Sequence, residues 1–330
     1  MGERTVQTFS GKQNPQPLGF FGNANKHFHP AKIIFYVLAI YRTICQSLEG
    51  LYAAGEIRTL ASMILKKVAG LALVDLIAGK TKTLTDNQLV EIETIIYRLQ
   101  QNEPIQYICG EAHFFGMTFL LNRHTLIPRP ETEELVDWIL QTFSEKNRHN
   151  NTQSCKILDI GTGSGCIAVA LAKFMPCAEV CACDISNEAL LIAKKNAEKN
   201  DVVIHFKKLN ILQVDASMFE QKFDIVVSNP PYIAESEKVT MQANVLEYEP
   251  EHALFVPDDD TLLFYRKIGQ ISQDILNNRG LLYLETSSLR GKETADLILQ
   301  MGFEPVVLRK DIAGNDRMIQ AEKVENLMVG

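Results

Sequence analysis

The chain lacks the features that would commit it to a membrane, an oxidising compartment or a nucleic-acid surface. Its longest uninterrupted apolar run, Ile33–Tyr41, falls far short of the ~18 residues of a membrane span. No basic segment followed by an apolar one opens the sequence, so it is expected not to be secreted. The seven cysteines are odd in number and scattered along 330 residues, which predicts reduced thiols in a cytoplasmic protein rather than a disulfide framework. There is no excess of positive charge. The 33 basic and 40 acidic residues give a net charge of −7, against a general nucleic-acid binder. No internal repeat is visible. What remains is ordinary globular composition, 46% hydrophobic and 22% charged, in a chain long enough for about two domains at ~150 residues each.

Charge and pattern divide the chain. Residues 1–128 carry 12 basic and 9 acidic side chains, net +3, and residues 129–330 carry 21 and 31, net −10. Such asymmetry suits a protein that binds a small cationic ligand with one part and a macromolecule with another. Residues 1–30, rich in Gly, Asn, Gln and Pro, read as an extension with no fold of its own. Residues 31–106 read as a helical bundle. Apolar residues recur at three and four spacing in Ile33–Leu51 and Ile57–Val68, with stops at Gly70 and Gly79. A further helix is capped at Thr85-Asp86-Asn87. It has an apolar face of Leu89, Ile92, Ile95, Ile96 and Leu99, with its charged residues outward. Residues 107–128 read as a β-hairpin linker, and Pro128 and Pro130 fix the start of the next helix.

From 129 to 330 the fold class is α/β. Strands are expected at 156–160, 179–184, 202–206, 223–228 and 280–285, alternating with helices at 166–173 and 188–200, the latter capped by Ser186. An antiparallel pair, 304–309 and 318–322, closes the order. This alternation predicts a mostly parallel sheet with helices on both faces and one antiparallel strand near an edge.

The first strand of this sheet runs into Gly161-Thr162-Gly163-Ser164-Gly165. Glycines let a backbone turn tightly and approach a ligand closely. Their spacing, G-x-G-x-G, is neither the dinucleotide fingerprint nor a P-loop. It favours a nucleoside without phosphates. Asp184, closing the second strand, suits a pair of ribose hydroxyls. Asp159 adds to an anionic mouth that attracts a sulfonium and repels pyrophosphate. The ligand expected is S-adenosylmethionine. No metal is expected: Cys166, Cys177, Cys181 and Cys183 match no zinc spacing, and His27 and His29 have no partner ligands at metal spacing.

The apolar strand 223–228 ends in Asn229-Pro230-Pro231-Tyr232, at the carboxyl edge where open α/β sheets bind ligands. Proline lacks an N–H, so the polar groups held there are the Asn229 side chain and the Pro230 carbonyl. Two acceptors and the Tyr232 ring suit a planar –NH₂ group, whose nitrogen is a poor nucleophile until fixed against an electrophile. Carbonyl dipoles also stabilise positive charge developing on that nitrogen. Asn229, Pro230 and Tyr232 are the catalytic candidates.

These residues resemble class I methyltransferases acting on amino or amide nitrogen. Three further stretches narrow the resemblance: Pro104-Ile-Gln-Tyr-Ile-Cys-Gly-Glu111, Ile127-Pro-Arg-Pro-Glu-Thr-Glu-Glu134 and Arg309-Lys-Asp-Ile-Ala-Gly-Asn-Asp-Arg317. Together, over about residues 40–322, the chain is similar to the release-factor glutamine methyltransferases of the HemK/PrmC type. The resemblance implies a Rossmann-like methyltransferase domain and N5-methylation of the Gly-Gly-Gln glutamine of peptide-chain release factors, with S-adenosylhomocysteine as product. It implies that Gly161–Gly165, Asp184, Ile211 and Asn229 hold the cofactor. Asn229, Pro230, Pro231 and Tyr232 then frame the target amide, with Arg129 and Glu131 lining or supporting the pocket. The helical domain is expected to grip the release factor, the chain to work as a monomer, and neither membrane nor nucleic acid to be a partner. Two departures stand out: Glu285-Thr286-Ser287 near the fifth strand, and aliphatic Ile211-Leu212 where the family often has an aromatic. The alternative reading is an adenine-N6 nucleic-acid methyltransferase, since adenine also presents a planar –NH₂; the −10 charge of residues 129–330 opposes it.

Overall fold

A computed structural model describes residues 30–72, 74–75, 78, 82–146 and 154–325. The extension with His27 and His29, the helix stop expected at Gly79 and positions 147–153 of the polar stretch lie outside the described residues. The chain divides into two compact units, residues 1–108 and 109–330.

The first unit is built on helices α1 (Pro30–Ser47), α2 (Ala54–Ala69) and α3 (Asp86–Gln100). Gly70 ends α2 in the left-handed conformation (φ 67°) that glycine adopts without strain. Thr85 opens α3 with a capping box: its hydroxyl accepts from the Gln88 N–H, and the Gln88 side chain accepts from the Thr85 N–H. Apolar stripes make the core, with Ile40, Ile44, Ile64, Leu65, Ile92 and Ile96 fully buried. Glu93 is also buried, which corrects the expectation that every charged residue of α3 faces outward. It sits four residues after Leu89 and three before Ile96, on the same stripe.

The second unit begins at the end of a short helix, α4 (Ile105–Cys109), and continues in a hairpin of β1 (Glu111–Phe114) and β2 (Met117–Leu120). Its two turn residues, Phe115 and Gly116, both have positive φ, the conformation that matches strand twist in a two-residue turn. Phe114 and Phe119 pack into the core of the second unit. Asn196 binds the hairpin backbone twice, accepting from Leu120 N at 2.7 Å and donating to Leu120 O at 3.0 Å.

Helix α5 (Pro130–Lys146) starts at the proline predicted to set it. Then follow β3 (Cys155–Ile160), α6 (Cys166–Phe174), β4 (Ala178–Asp184), α7 (Asn187–Lys199), β5 (Ile204–Lys208) and β6 (Phe223–Ser228). A short parallel pair, β7 (Ile233–Ala234) and β8 (Phe255–Val256), brackets α8 (Ala243–Tyr248). Helix α9 (Leu263–Ile275), β9 (Leu276–Glu285), α10 (Gly291–Gln300), β10 (Phe303–Lys310) and β11 (Asp316–Lys323) complete the unit.

Among the described residues seven strands form one sheet in the order β10-β11-β9-β6-β3-β4-β5, in which β11 runs opposite to the other six. Side chains alternate between two cores. Ile157, Val227 and Tyr283 face one, with Val136, Ile139 and Val169; Leu158, Val226 and Leu282 face the other, with Ile268, Ile298 and Phe303. Burial on both faces is why these strands read as near-continuous apolar runs. Three strand starts differ from the sequence expectation by two residues or more; β11 starts two residues early, at Asp316. β5 starts two residues late because Asp201 (φ 56°) still belongs to the turn leaving α7. β9 starts four residues early, and the register slips near Phe223/Ile225, where Arg279 takes φ 61°.

Registration places the chemistry. Ile160 pairs with Ser228, and Ser228 with Leu284. The residues that follow, Gly161, Asn229 and Glu285, therefore emerge side by side at the carboxyl edge of the three central strands.

Candidate active site

The glycine loop is held in shape from behind. Gly161, Gly163 and Gly165 all have positive φ (73°, 55° and 81°). A Cβ at Gly161 or Gly163 would meet open space, whereas one at Gly165 would come within 3.0 Å of the Ala193 Cβ. The first two glycines thus give a ligand close approach, and the third lets α6 start against α7. Gly161 and Thr162 donate to the Cys183 carbonyl at 2.9 and 3.0 Å. Asn196 also donates to Ser164 O at 2.8 Å, tying loop to hairpin.

The two acidic residues divide the remaining work. Asp184 accepts from Gly163 N at 2.8 Å through Oδ2 and from Ser186 N at 2.9 Å through Oδ1. Each oxygen keeps a lone-pair direction for a further donor. Asp159 is fully buried, accepts the Thr162 hydroxyl at 2.6 Å through Oδ2, and leaves Oδ1 without a partner. Burial pushes its carboxyl up to about 7, against the opposing Thr162 bond. A raised carboxyl stabilises the fold fully below the ordinary carboxylate range, and that contribution is lost as pH rises through about 7. Asp159→Asn is accordingly expected to shift Tm more favourably at pH 8 than at pH 5. Equal shifts in thermal melts at the two pH values would contradict the buried, protonatable state.

A cleft opens beside these groups, lined by Gly161, Gly163, Asp184, Ile211, Asn229, Pro230 and Pro231. Ile185, Leu209, Leu212, Phe264 and Ile268 give it an apolar wall. Thr162, Ser164 and Gly165 do not line it; they shape the loop from within. His124 and His252 also border the cleft, and neither is singled out by any sequence motif.

A smaller recess adjoins it, lined by Leu126, Arg129, Asn229, Tyr232, Met241, Val245 and Leu254, among others. Arg129 is fixed by Glu249, Nη2 to Oε1 at 2.6 Å, and Glu249 also accepts from Ile127 N at 3.3 Å. Burial and the neighbouring Glu285 push the Tyr232 hydroxyl well above its ordinary range, so it stays neutral. Glu131 lines neither chamber. It lies near enough to raise the carboxyl of Glu285.

Behind Asn229 runs a chain of hydrogen bonds. Asn229 Nδ2 donates to Thr132 Oγ1 at 3.2 Å, and Thr132 Oγ1 donates to Glu285 Oε2 at 2.6 Å. Thr132 and Glu285 are both buried. Thr132 lies in the Ile127–Glu134 stretch that carries the resemblance, and Glu285 is a carboxylate ending an apolar strand, as Asp184 is on β4, but nothing in the sequence links the two to Asn229.

The thiols of Cys155, Cys166 and Cys183 are buried and pushed up to about 12, chiefly by burial. They act as small apolar side chains. Among the described residues, no group of three or more His, Cys, Asp or Glu is placed to hold a metal ion, and no helix is long and apolar enough to cross a membrane.

Known proteins resemble this chain along most of its length. The family profile described as Methyltransferase small domain matches residues 137–254, and the PrmC N-terminal domain profile matches residues 41–110. The release factor glutamine methyltransferase of Flavobacterium psychrophilum is 48% identical over 281 residues, covering 85% of this chain and 97% of the relative. That of Bacteroides thetaiotaomicron is 44% identical over 280 residues, covering 85% and 98%. That of Streptococcus pneumoniae is 38% identical over 273 residues, covering 82% and 94%.

Proposed function

The chain belongs to the release factor glutamine methyltransferase family, and from that premise we propose that it transfers a methyl group from S-adenosylmethionine to the side-chain amide nitrogen of the Gly-Gly-Gln glutamine of a peptide-chain release factor. One observation carries this reading. Asn229 is the polar side chain common to the glycine-loop cleft and to the recess beside it. A group that touches both chambers can hold a nucleophile in one against an electrophile in the other.

The cleft suits the cofactor. Gly161 and Gly163 give backbone access, Asp184 offers acceptors for a ribose diol, and Ile211, Leu212 and Phe264 offer an apolar wall for a purine. The absence of an aromatic at position 211 is met by this aliphatic surface with Phe264. The Asp184 carboxylate makes the cleft electronegative beside the loop, favourable to a sulfonium. The cofactor supplies, when bound, a methyl on a positively charged sulfur.

This chain's residues supply the rest. Asn229 Oδ1 and the Pro230 carbonyl accept the two N–H groups of the glutamine amide, and the Tyr232 ring packs against its plane. Holding the nitrogen in place replaces a bimolecular encounter with a positioned one, an effect worth up to about 7–11 kcal/mol. The carbonyl dipoles stabilise the charge that develops on nitrogen. Arg129, fixed by Glu249, lines the entrance of the amide recess. The helical unit recognises the release factor, in line with the match of residues 41–110 to the PrmC N-terminal domain profile. We place the reaction in the cytoplasm, with the chain acting as a monomer.

The test is methyl-labelled S-adenosylmethionine offered with a release factor, with its motif Gln→Ala variant, and with DNA. Label on the unmodified factor alone is the expected result. Label on DNA would overturn the reading in favour of adenine-N6 transfer.

A further inference from the structure

We propose that Thr132 and Glu285 are positioning residues which fix the end of the Asn229 amide that faces the substrate, and thereby make the site select a glutamine amide over a glutamate carboxylate. This rests on the reading above and deepens it.

Glu285 ends β9 beside Asn229 and is 1% exposed. Facing it are Arg129 just before α5, Glu131 and Thr132 from its first turn, Arg317 from β11, and Tyr232. Tyr265 of α9 donates to its main-chain carbonyl at 3.2 Å. As a carboxylate, Glu285 can only accept. In that state it accepts the Thr132 hydroxyl at 2.6 Å. A threonine hydroxyl has one proton, and that proton is committed to Glu285. Thr132 Oγ1 can therefore only accept from its other neighbour, and Asn229 meets this demand with its N–H at 3.2 Å. A reversed Asn229 would set its oxygen against the lone pairs of Thr132.

The consequence lies at the other end of the amide. With one Nδ2 proton committed inward the orientation of the amide is fixed, and Asn229 Oδ1 is the acceptor it offers the substrate. An oxygen there accepts from the –NH₂ of glutamine and repels the acceptor-only carboxylate of glutamate. Three residues in series thus convert one buried negative charge into a preference for a neutral amide. Burial pushes Glu285 up to about 7, with the Thr132 bond and then Arg317 opposing. Below that, the carboxyl carries its own proton and can donate to Thr132. The Thr132 hydroxyl is then free to turn toward Asn229 and donate to the oxygen of a reversed amide. Selection should fade on acidification.

The experiment measures Kd for a release factor and for its motif Gln→Glu variant, with the wild-type chain, Thr132→Val and Thr132→Ser, between pH 6 and 8.5. The motif glutamate stays ionised throughout this window. Using the ratio of the two affinities cancels effects common to both factors. The wild type is expected to favour the glutamine form by roughly tenfold or more at pH 8, the cost of an unpaired buried acceptor, and to lose most of that preference at pH 6. Thr132→Val should lower the ratio at pH 8 and remove its pH dependence, leaving the preference set by the Pro230 carbonyl, with S-adenosylmethionine affinity unchanged as the check on folding. Thr132→Ser, which keeps the hydroxyl, should restore both. A Thr132→Val ratio equal to the wild type's overturns the inference while the methyl-transfer reading stands. So does a wild-type ratio that is flat with pH, even if the valine variant does not fold. A wild type that binds the factor but methylates neither form overturns the reading, and the inference with it.

Discussion

Replacing Asn229 with alanine is expected to lower methyl transfer to the release factor by roughly 10²–10³-fold, the loss seen when a preorganised polar group is removed from a reacting centre. Cofactor affinity should stay within about threefold, because an interaction realised mainly with the reacting amide affects turnover more than cofactor binding. The asymmetry follows from place. Asn229 borders the cofactor cleft, yet the loop that forms that cleft is held by Asp184, Cys183 and Asn196. Removing the Asn229 side chain leaves those bonds intact. It takes away the acceptor in the amide recess and the partner of Thr132. Turnover and cofactor Kd measured on the same preparation decide the matter: retained turnover contradicts the assigned role.

Asp184→Ala should act the opposite way, weakening S-adenosylmethionine binding by ~10²-fold or more before any effect on saturated turnover. Hydrogen bonds to a charged group are worth about 1.5–3 kcal/mol each, and the Asp184 carboxylate makes two of them to the backbone it organises. Alanine removes the acceptors assigned to the ribose and also frees the Gly163 and Ser186 N–H groups. Asp184→Asn separates the two contributions. Its single carbonyl oxygen can replace one backbone contact and cannot reproduce the charge. An intermediate Kd for the asparagine variant, between wild type and alanine, is expected from titration calorimetry. An alanine variant that binds the cofactor as tightly as the wild type contradicts the ribose assignment.

The parts of this site that are local in sequence were legible there. A strand, a turn of three glycines and a helix follow one another without interruption from residue 155 to 174. Asp184 and Asn229-Pro-Pro-Tyr232 each close an apolar strand, so their place at the carboxyl edge follows from α/β topology alone. Ser186 and Thr85 announced their helices because a cap is a contact between residues three apart. The long-range part was not legible. Thr132 lies 97 residues from Asn229 and 153 from Glu285, and Arg129 lies 120 from Glu249. Nothing in a local pattern links them; only the register of β6 against β9 brings Glu285 beside Asn229. Glu285-Thr286-Ser287 read from sequence as a departure from the family pattern, yet Glu285 is the residue that anchors Thr132. The burial of Glu93 escaped for a related reason: a stripe of apolar residues says which face is inside, not which polar residue shares it.

The labelled transfer, read to the level of the atom, is the most direct trial of this account. After reaction with methyl-labelled S-adenosylmethionine, the release factor is digested and its peptides are fragmented in a mass spectrometer. A single methyl group on the side-chain nitrogen of the Gly-Gly-Gln glutamine, absent with the Asn229→Ala enzyme, is the predicted result. Label confined to another residue, or undiminished with Asn229→Ala, would contradict it.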